Sequence, residues 1–107
     1  TFTKRAAAGD HANTLHWIKN DGEVREGDLI LVDAGVEVDS LFTADITRTL
    51  PVSGRFSPAQ RKVYDAVLEA QRAGIAAARP GAHFGDVHAA AIRGIAEHLH
   101  GWGLLPV

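Results

Sequence analysis

Two β-type runs decide how this chain folds: DLILVDAG at residues 28–35 and LFTADITRT at residues 41–49. Aliphatic, aromatic and β-branched residues are typical of strands, and the short polar segment between the runs predicts an antiparallel hairpin that turns at Asp39. A turn centred there pairs Asp33 with Asp45. Directly opposed side chains have Cβ atoms roughly 5 Å apart, so two carboxylates in these positions would repel each other.

The carboxylates of Asp33 and Asp45 are therefore candidate metal ligands. A divalent cation would reverse their repulsion, and oxygen ligands suit a hard or borderline ion such as manganese. A structural role is the alternative, because Asp is common at strand ends, where it bonds nearby backbone. Asp45, however, stands in the middle of a predicted strand, where Asp is disfavoured. An unfavourable residue inside a consistent element indicates function, and we interpret the pair as part of a metal site.

Short motifs follow one another in a specific order along most of the chain. They are GDHANTLHW at residues 9–17, REGD at 25–28 leading into VDAG at 32–35, TADITRTLP at 43–51, GRFSPAQRKVY at 54–64 and RPG at 79–81. Together they resemble the aminopeptidase P (Xaa-Pro aminopeptidase) family. The ordered DAG and DITRT pair is the most specific part of this resemblance, and residues 1–8 contribute no signal.

The resemblance implies a fold, a reaction and roles for three residues. The fold is the α+β "pita-bread" type, and the reaction removes an N-terminal residue that precedes proline, with a dinuclear site that usually holds manganese. Asp33 would be a terminal ligand of one metal ion, and Asp45 would bridge both. His16, in the LHW segment, would be a catalytic residue that lines the substrate cleft without binding metal. From the residues alone, a purely structural role for His16 is the safer interpretation.

The same resemblance implies that this metal site is incomplete. The family completes it with a His and two Glu from strands further along, and the sequence ends before such strands. We therefore expect residues 1–107 to be the N-terminal half of a metallopeptidase catalytic domain, inactive alone. Two alternatives remain open: a prolidase, which cleaves Xaa-Pro dipeptides, and a non-catalytic pita-bread module that binds peptides or proteins.

Composition limits the partners of the chain. Its 107 residues suit one domain, and a net charge of -2 with dispersed Lys and Arg argues against binding to nucleic acid or an anionic membrane. The absence of cysteine excludes disulfides and thiolate ligands, so any metal is held by oxygen or imidazole. A cytoplasmic location and a homo-oligomer are both compatible with this composition.

The remaining segments predict a sheet followed by two helices. Residues 12–18 have strand-like patterning, and Asn20, Asp21 and Gly22 form a turn signal. The segment SPAQ at 57–60 predicts a capped helix start, with Tyr64, Val67, Leu68 and Ile75 on its apolar face and RPG at its end. A second helix is predicted from Gly85 to His100. This order predicts an α+β fold with an antiparallel sheet and two helices on one face of it.

Overall fold

The computed structural model describes residues 4–106. Along the chain lie β1 (Arg5–Ala8), a 3₁₀ helix (Gly9–Asn13), β2 (Leu29–Glu37), β3 (Thr43–Pro51), α1 (Pro58–Ala77) and α2 (Phe84–Gly101). The chain divides into two compact units, a sheet unit (Thr1–Ser57) and a helical unit (Pro58–Val107). The predicted α+β class is confirmed.

The sheet unit contains three antiparallel strands in the order β1-β2-β3. The aliphatic run Leu29–Val32 lies in the central strand, β2, which pairs along its length with β3. On its other side β2 pairs with the four residues of β1, from Arg5 opposite Asp33 to Ala8 opposite Ile30. Among the described residues of this unit, Ala7 is the one hydrophobic residue that is buried.

The predicted hairpin forms, but its predicted register is wrong. Asp33 lies opposite Thr47, and Asp45 lies opposite Gly35, so the turn is centred at Ser40 and not at Asp39. The register therefore differs from the prediction by two residues. Because side chains alternate with a period of two, Asp33 and Asp45 still share one face of the hairpin.

The loop at the tip of the hairpin explains the difference in register. The carbonyl of Val38 accepts a hydrogen bond from the Leu41 N–H at 2.8 Å, and the Val38 N–H donates to the Phe42 carbonyl at 3.0 Å. Leu41 has a φ of 65°, in the left-handed region. A turn followed by one left-handed residue is the usual three-residue hairpin loop, which glycine normally completes. With leucine at that position, the sequence carries no signal for this loop.

The strand predicted at residues 12–18 is wrong, and β1 takes the place beside β2. After β1 the chain leaves the sheet at Gly9, where φ is 54°, and continues as a 3₁₀ helix and a turn. A side chain at Gly9 would meet the Asp28 carboxylate, since its Cβ would lie 3.1 Å from Oδ2. The run RAAA in β1 has weak strand propensity, so the sequence alone does not mark it.

The outer edge of β1 is occupied by the side chain of Asn20. Its Oδ1 accepts a hydrogen bond from the Ala6 N–H at 2.6 Å, and its Nδ2 donates to the Lys4 carbonyl at 3.1 Å. Asn20 has a φ of 52°, which asparagine tolerates better than most residues, and it begins the predicted turn. The amide thus provides β1 with the hydrogen bonds of a missing neighbouring strand.

In the helical unit, α1 begins at Pro58 as predicted, but its buried face differs from the prediction. Ala66, Ala70 and Gly74 are buried, whereas Val67 and Ile75 are 53% and 67% exposed. The buried residues are small because the two helices approach closely. A Cβ added at Gly94 of α2 would lie 3.4 Å from Cα of Ala70.

Helix α2 matches its predicted extent and has defined ends. At its start the His83 N–H donates to Oδ2 of Asp86 at 2.9 Å. At its end the N–H groups of Gly103 and Leu104 donate to the carbonyls of His100 and Leu99, and Gly103 has a φ of 71°. This pattern is a Schellman motif. Within residues 4–106, no helix combines the length and the apolar character needed to cross a membrane.

Candidate metal centre

The candidate site lies on one face of the β2–β3 hairpin. Asp33 and Asp45 are diagonal neighbours there, a relation that corresponds to a separation of about 7–8 Å between Cα atoms. Gly35 lies directly opposite Asp45. Because Gly35 has no side chain, none projects from the position directly opposite Asp45. The two acids therefore share a face without being forced into direct contact.

The carboxylate of Asp33 is held on both oxygens. Thr47, its partner on β3, donates from Oγ1 to Oδ1 at 2.6 Å. Arg5, its partner on β1, donates from Nη1 to Oδ2 at 3.2 Å, and the side chains of Arg5 and Asp33 are only 25% and 16% exposed. The three residues form one row across the sheet, so the strand register itself fixes the orientation of this carboxylate.

Asp45 is in a different environment. Its residue is exposed, and within the described part of the chain its side chain makes no hydrogen bond or ion pair. Its oxygens are therefore free to bind a ligand. The carboxylate of Asp33 is oriented by its neighbours, whereas that of Asp45 is accessible to ligands. Both lie on the same face of the sheet.

Two carboxylates are a suitable but partial set of metal ligands. Hard divalent ions take six or more oxygen ligands, or fewer when imidazole contributes. Among residues 4–106, no group of three or more His, Asp or Glu side chains is arranged to hold a metal ion. The donor chemistry of Asp33 and Asp45 thus fits a divalent ion, and further ligands are needed to complete its coordination.

His16 lies in an exposed turn after the 3₁₀ helix, and not in a strand. In the described residues its side chain forms no hydrogen bond. The turn is anchored by Trp17, whose ring stacks on His11 with centroids 3.8 Å apart and whose Nε1 donates to the Asp21 carbonyl at 3.3 Å. His16 is therefore held next to a fixed residue while its own imidazole stays free.

A cavity of about 200 Å³ separates this turn from the sheet. It is lined by Arg5, Ala7, Leu31 and Asp33 of the sheet and by Ala12, Asn13, Thr14, Leu15 and Trp17 of the neighbouring segment. The structure thus brings Asp33 to this cavity together with both neighbours of His16. The His16 side chain itself does not line it.

Arg5 is the residue of this site that the sequence does not reveal. Residues 1–8 match no motif, and an arginine before three alanines has no pattern that suggests a site. Its position follows only from the pairing of β1 with β2, which sets Arg5 opposite Asp33. Because the run RAAA has weak strand propensity, no local pattern in the sequence could have identified Arg5.

Comparison with known proteins assigns the chain to a family. Residues 1–105, nearly the whole chain, match metallopeptidase family M24. This chain belongs to family M24. Xaa-Pro aminopeptidase 1 of Streptomyces coelicolor is 62% identical to it over 99 residues, which are 92% of this chain and 20% of that protein. Xaa-Pro aminopeptidase 3 of Homo sapiens is 38% identical over 99 residues, 92% of this M24 chain and 19% of the human protein.

Solved structures give the same result for the fold. Aminopeptidase PepP of Pseudomonas aeruginosa superposes with a TM-score of 0.92 at 45% identity, over 98% of this M24 chain and 24% of the other. A variant of Escherichia coli aminopeptidase P superposes with a TM-score of 0.90 at 37% identity, over 98% and 24% of the two chains. The resemblance to aminopeptidase P and the pita-bread fold are confirmed. The chain spans about a fifth of the length of the curated relatives it matches.

Proposed function

We propose that this chain is part of the catalytic domain of a metal-dependent aminopeptidase that removes the N-terminal residue from peptides with proline in second position. The observation that carries the proposal is the placement of Asp33 and Asp45 on one sheet face, with the Asp33 carboxylate held by its neighbours. The names of the Streptomyces and human relatives support the substrate class. The activity belongs to the full-length protein that contains this chain.

In this proposal Asp33 and Asp45 hold two divalent ions, with manganese as the preferred metal. Asp33 would be a terminal ligand of one ion, Asp45 would bridge both, and the remaining ligands would come from outside the 107 residues. When bound, the two ions supply an activated water and polarise the scissile carbonyl. The exposure of Asp45 favours the bridging role, because a bridging carboxylate needs both oxygens accessible.

The other residues of the site position groups and donate hydrogen bonds. Thr47 holds the Asp33 carboxylate in one orientation, which is the usual effect of a hydrogen bond to a metal ligand. His16 donates a hydrogen bond to the substrate carbonyl as negative charge develops on its oxygen. Its unengaged imidazole, next to the anchored Trp17, is consistent with this role.

Family membership and composition support the substrates, partners and location proposed for the protein. Peptides with an Xaa-Pro N-terminus are the substrates, with neither nucleic acid nor membrane as a partner, and the composition is compatible with a homo-oligomer. The cysteine-free composition favours the cytoplasm.

Peptide cleavage by the full-length protein tests this function. We expect release of the first residue from Xaa-Pro-Xaa peptides, little cleavage of matched Xaa-Leu-Xaa peptides, loss of activity after chelation and recovery with Mn²⁺. Cleavage of Xaa-Pro dipeptides but not of longer peptides would instead identify a prolidase. Peptide binding without turnover in the metal-loaded protein would identify a non-catalytic module. Turnover that persists in the chelated protein would contradict the metal assignment.

A further inference from the structure

The side chain of Arg5 depends on Asp33 for its interactions. Within the described residues, its guanidinium forms one ion pair, from Nη1 to Oδ2 of Asp33 at 3.2 Å. The Nε of Arg5 is buried and has no hydrogen-bond partner. A guanidinium that is partly removed from water and has a single acidic partner is held near that partner, because the alternative is an unpaired charge.

Arg5 and Thr47 hold Asp33 in chemically different ways. Thr47 is neutral, and its hydrogen bond to Oδ1 leaves that oxygen a second lone pair, so it is compatible with a metal ion on the same carboxylate. Arg5 brings a full positive charge to Oδ2. A metal ion that binds Asp33 must therefore either displace this guanidinium or stay beside it.

We propose that Arg5 is a positioning residue that competes with the metal ion for the Asp33 carboxylate and thereby lowers the metal affinity of the site. The inference rests on the proposed function, since it takes Asp33 to be a metal ligand. In the metal-free protein Arg5 neutralises Asp33 across the β1–β2 pair. In the metal-loaded protein it is a nearby like charge.

The expected size of the effect follows from Coulomb's law. A unit positive charge roughly 5 Å from a divalent ion changes the binding constant on the order of tenfold even at the permittivity of water. The opposing effect, loss of an ordered ligand, is smaller because Thr47 still holds Oδ1. Removal of the Arg5 charge should therefore tighten metal binding.

Titration of the full-length protein with Mn²⁺ tests this inference, with free Mn²⁺ measured by its electron paramagnetic resonance signal. This readout does not depend on activity. We expect Arg5→Met to bind Mn²⁺ about tenfold more tightly than wild type. Arg5→Gln keeps a hydrogen-bond donor for Asp33 without the charge, so it should also bind Mn²⁺ more tightly. Arg5→Lys keeps the charge, so its affinity for Mn²⁺ should stay near that of wild type.

Lys4→Met is the matched control, because it removes the same charge from the exposed neighbouring residue. We expect less than about a threefold change for this variant, since an exposed charge is screened. Unchanged or weaker binding in both Arg5→Met and Arg5→Gln would overturn the inference, as would an equal gain in Lys4→Met. If wild type takes up Mn²⁺ and cleaves Xaa-Pro peptides while the Arg5 variants bind as wild type does, only this inference fails. If wild type binds no metal, the proposed function fails as well.

Discussion

Asp33→Asn should lower the stability of the protein more than Asp45→Asn does. Asp45→Asn should instead cause the larger loss of bound metal. The Asp33 side chain is 16% exposed and holds the guanidinium of Arg5, whereas Asp45 is exposed and its side chain makes no hydrogen bond or ion pair within residues 4–106. In the metal-free protein, Asp33→Asn therefore leaves Arg5 without its charged partner. The amide oxygen introduced by this substitution can still accept the hydrogen bond from Thr47, so only the ion pair is lost.

The magnitude follows from the exposure of the pair. Removing one partner of a fully buried ion pair costs about 3–5 kcal/mol, and a hydrogen bond to a charged group contributes about 1.5–3 kcal/mol. Because Arg5 is 25% exposed, water screens the pair, and about 1–2 kcal/mol is the appropriate range. Asp45→Asn should change stability by less than about 0.5 kcal/mol.

Hydrogen exchange of the β2 and β3 amides measures this difference in the chelated full-length protein. A cost of about 1–2 kcal/mol corresponds to roughly 5- to 30-fold faster exchange in Asp33→Asn, against less than about threefold in Asp45→Asn. Metal content should show the reverse order, with the larger loss in Asp45→Asn, because an amide cannot replace the bridging carboxylate proposed for Asp45. Equal exchange in the two variants would refute the role given to the Arg5–Asp33 pair. Unchanged metal stoichiometry in both would refute their assignment as ligands.

Three further predictions concern other parts of the molecule. His16→Ala in the full-length enzyme should lower kcat on an Xaa-Pro peptide on the order of 10²-fold with unchanged metal content and melting temperature, and normal turnover would contradict its catalytic role. The isolated 107-residue chain should show no aminopeptidase activity and only weak Mn²⁺ binding by calorimetry, because most coordination positions are left to water. Gly103→Ala should destabilise the protein by about 1 kcal/mol in thermal unfolding, because alanine disfavours the φ of 71° there. Gly101→Ala, in the last turn of α2 with open space around it, should be neutral or stabilising.

Much of the architecture could be predicted because its signals are local. The aliphatic run of β2 and the β-branched residues of β3 mark the hairpin, and Ser57 and Pro58 mark the start of α1. The shared face of Asp33 and Asp45 was also predictable. Side chains alternate between the two faces of a strand, so a register error of two residues leaves each side chain on the same face. The predicted and observed registers therefore both place Asp33 and Asp45 on one face.

The remaining features depend on tertiary contacts that the sequence does not mark. The hairpin loop ends in a left-handed Leu41, where the usual signal is glycine. The buried face of α1 consists of Ala66, Ala70 and Gly74, because close helix packing favours small residues over the larger apolar ones. Arg5 reaches Asp33 only through strand pairing between distant segments, so local patterns could not identify it.

The Asn20 amide at the edge of β1 has a consequence for how the protein avoids self-association. Exposed strand edges are templates on which other chains add strands, and natural sheets protect them. Here a side chain satisfies the Ala6 N–H and the Lys4 carbonyl, so an incoming strand would have to break two hydrogen bonds before forming its own. One asparagine side chain thus protects the outer edge of an alanine-rich strand against pairing with strands of other chains.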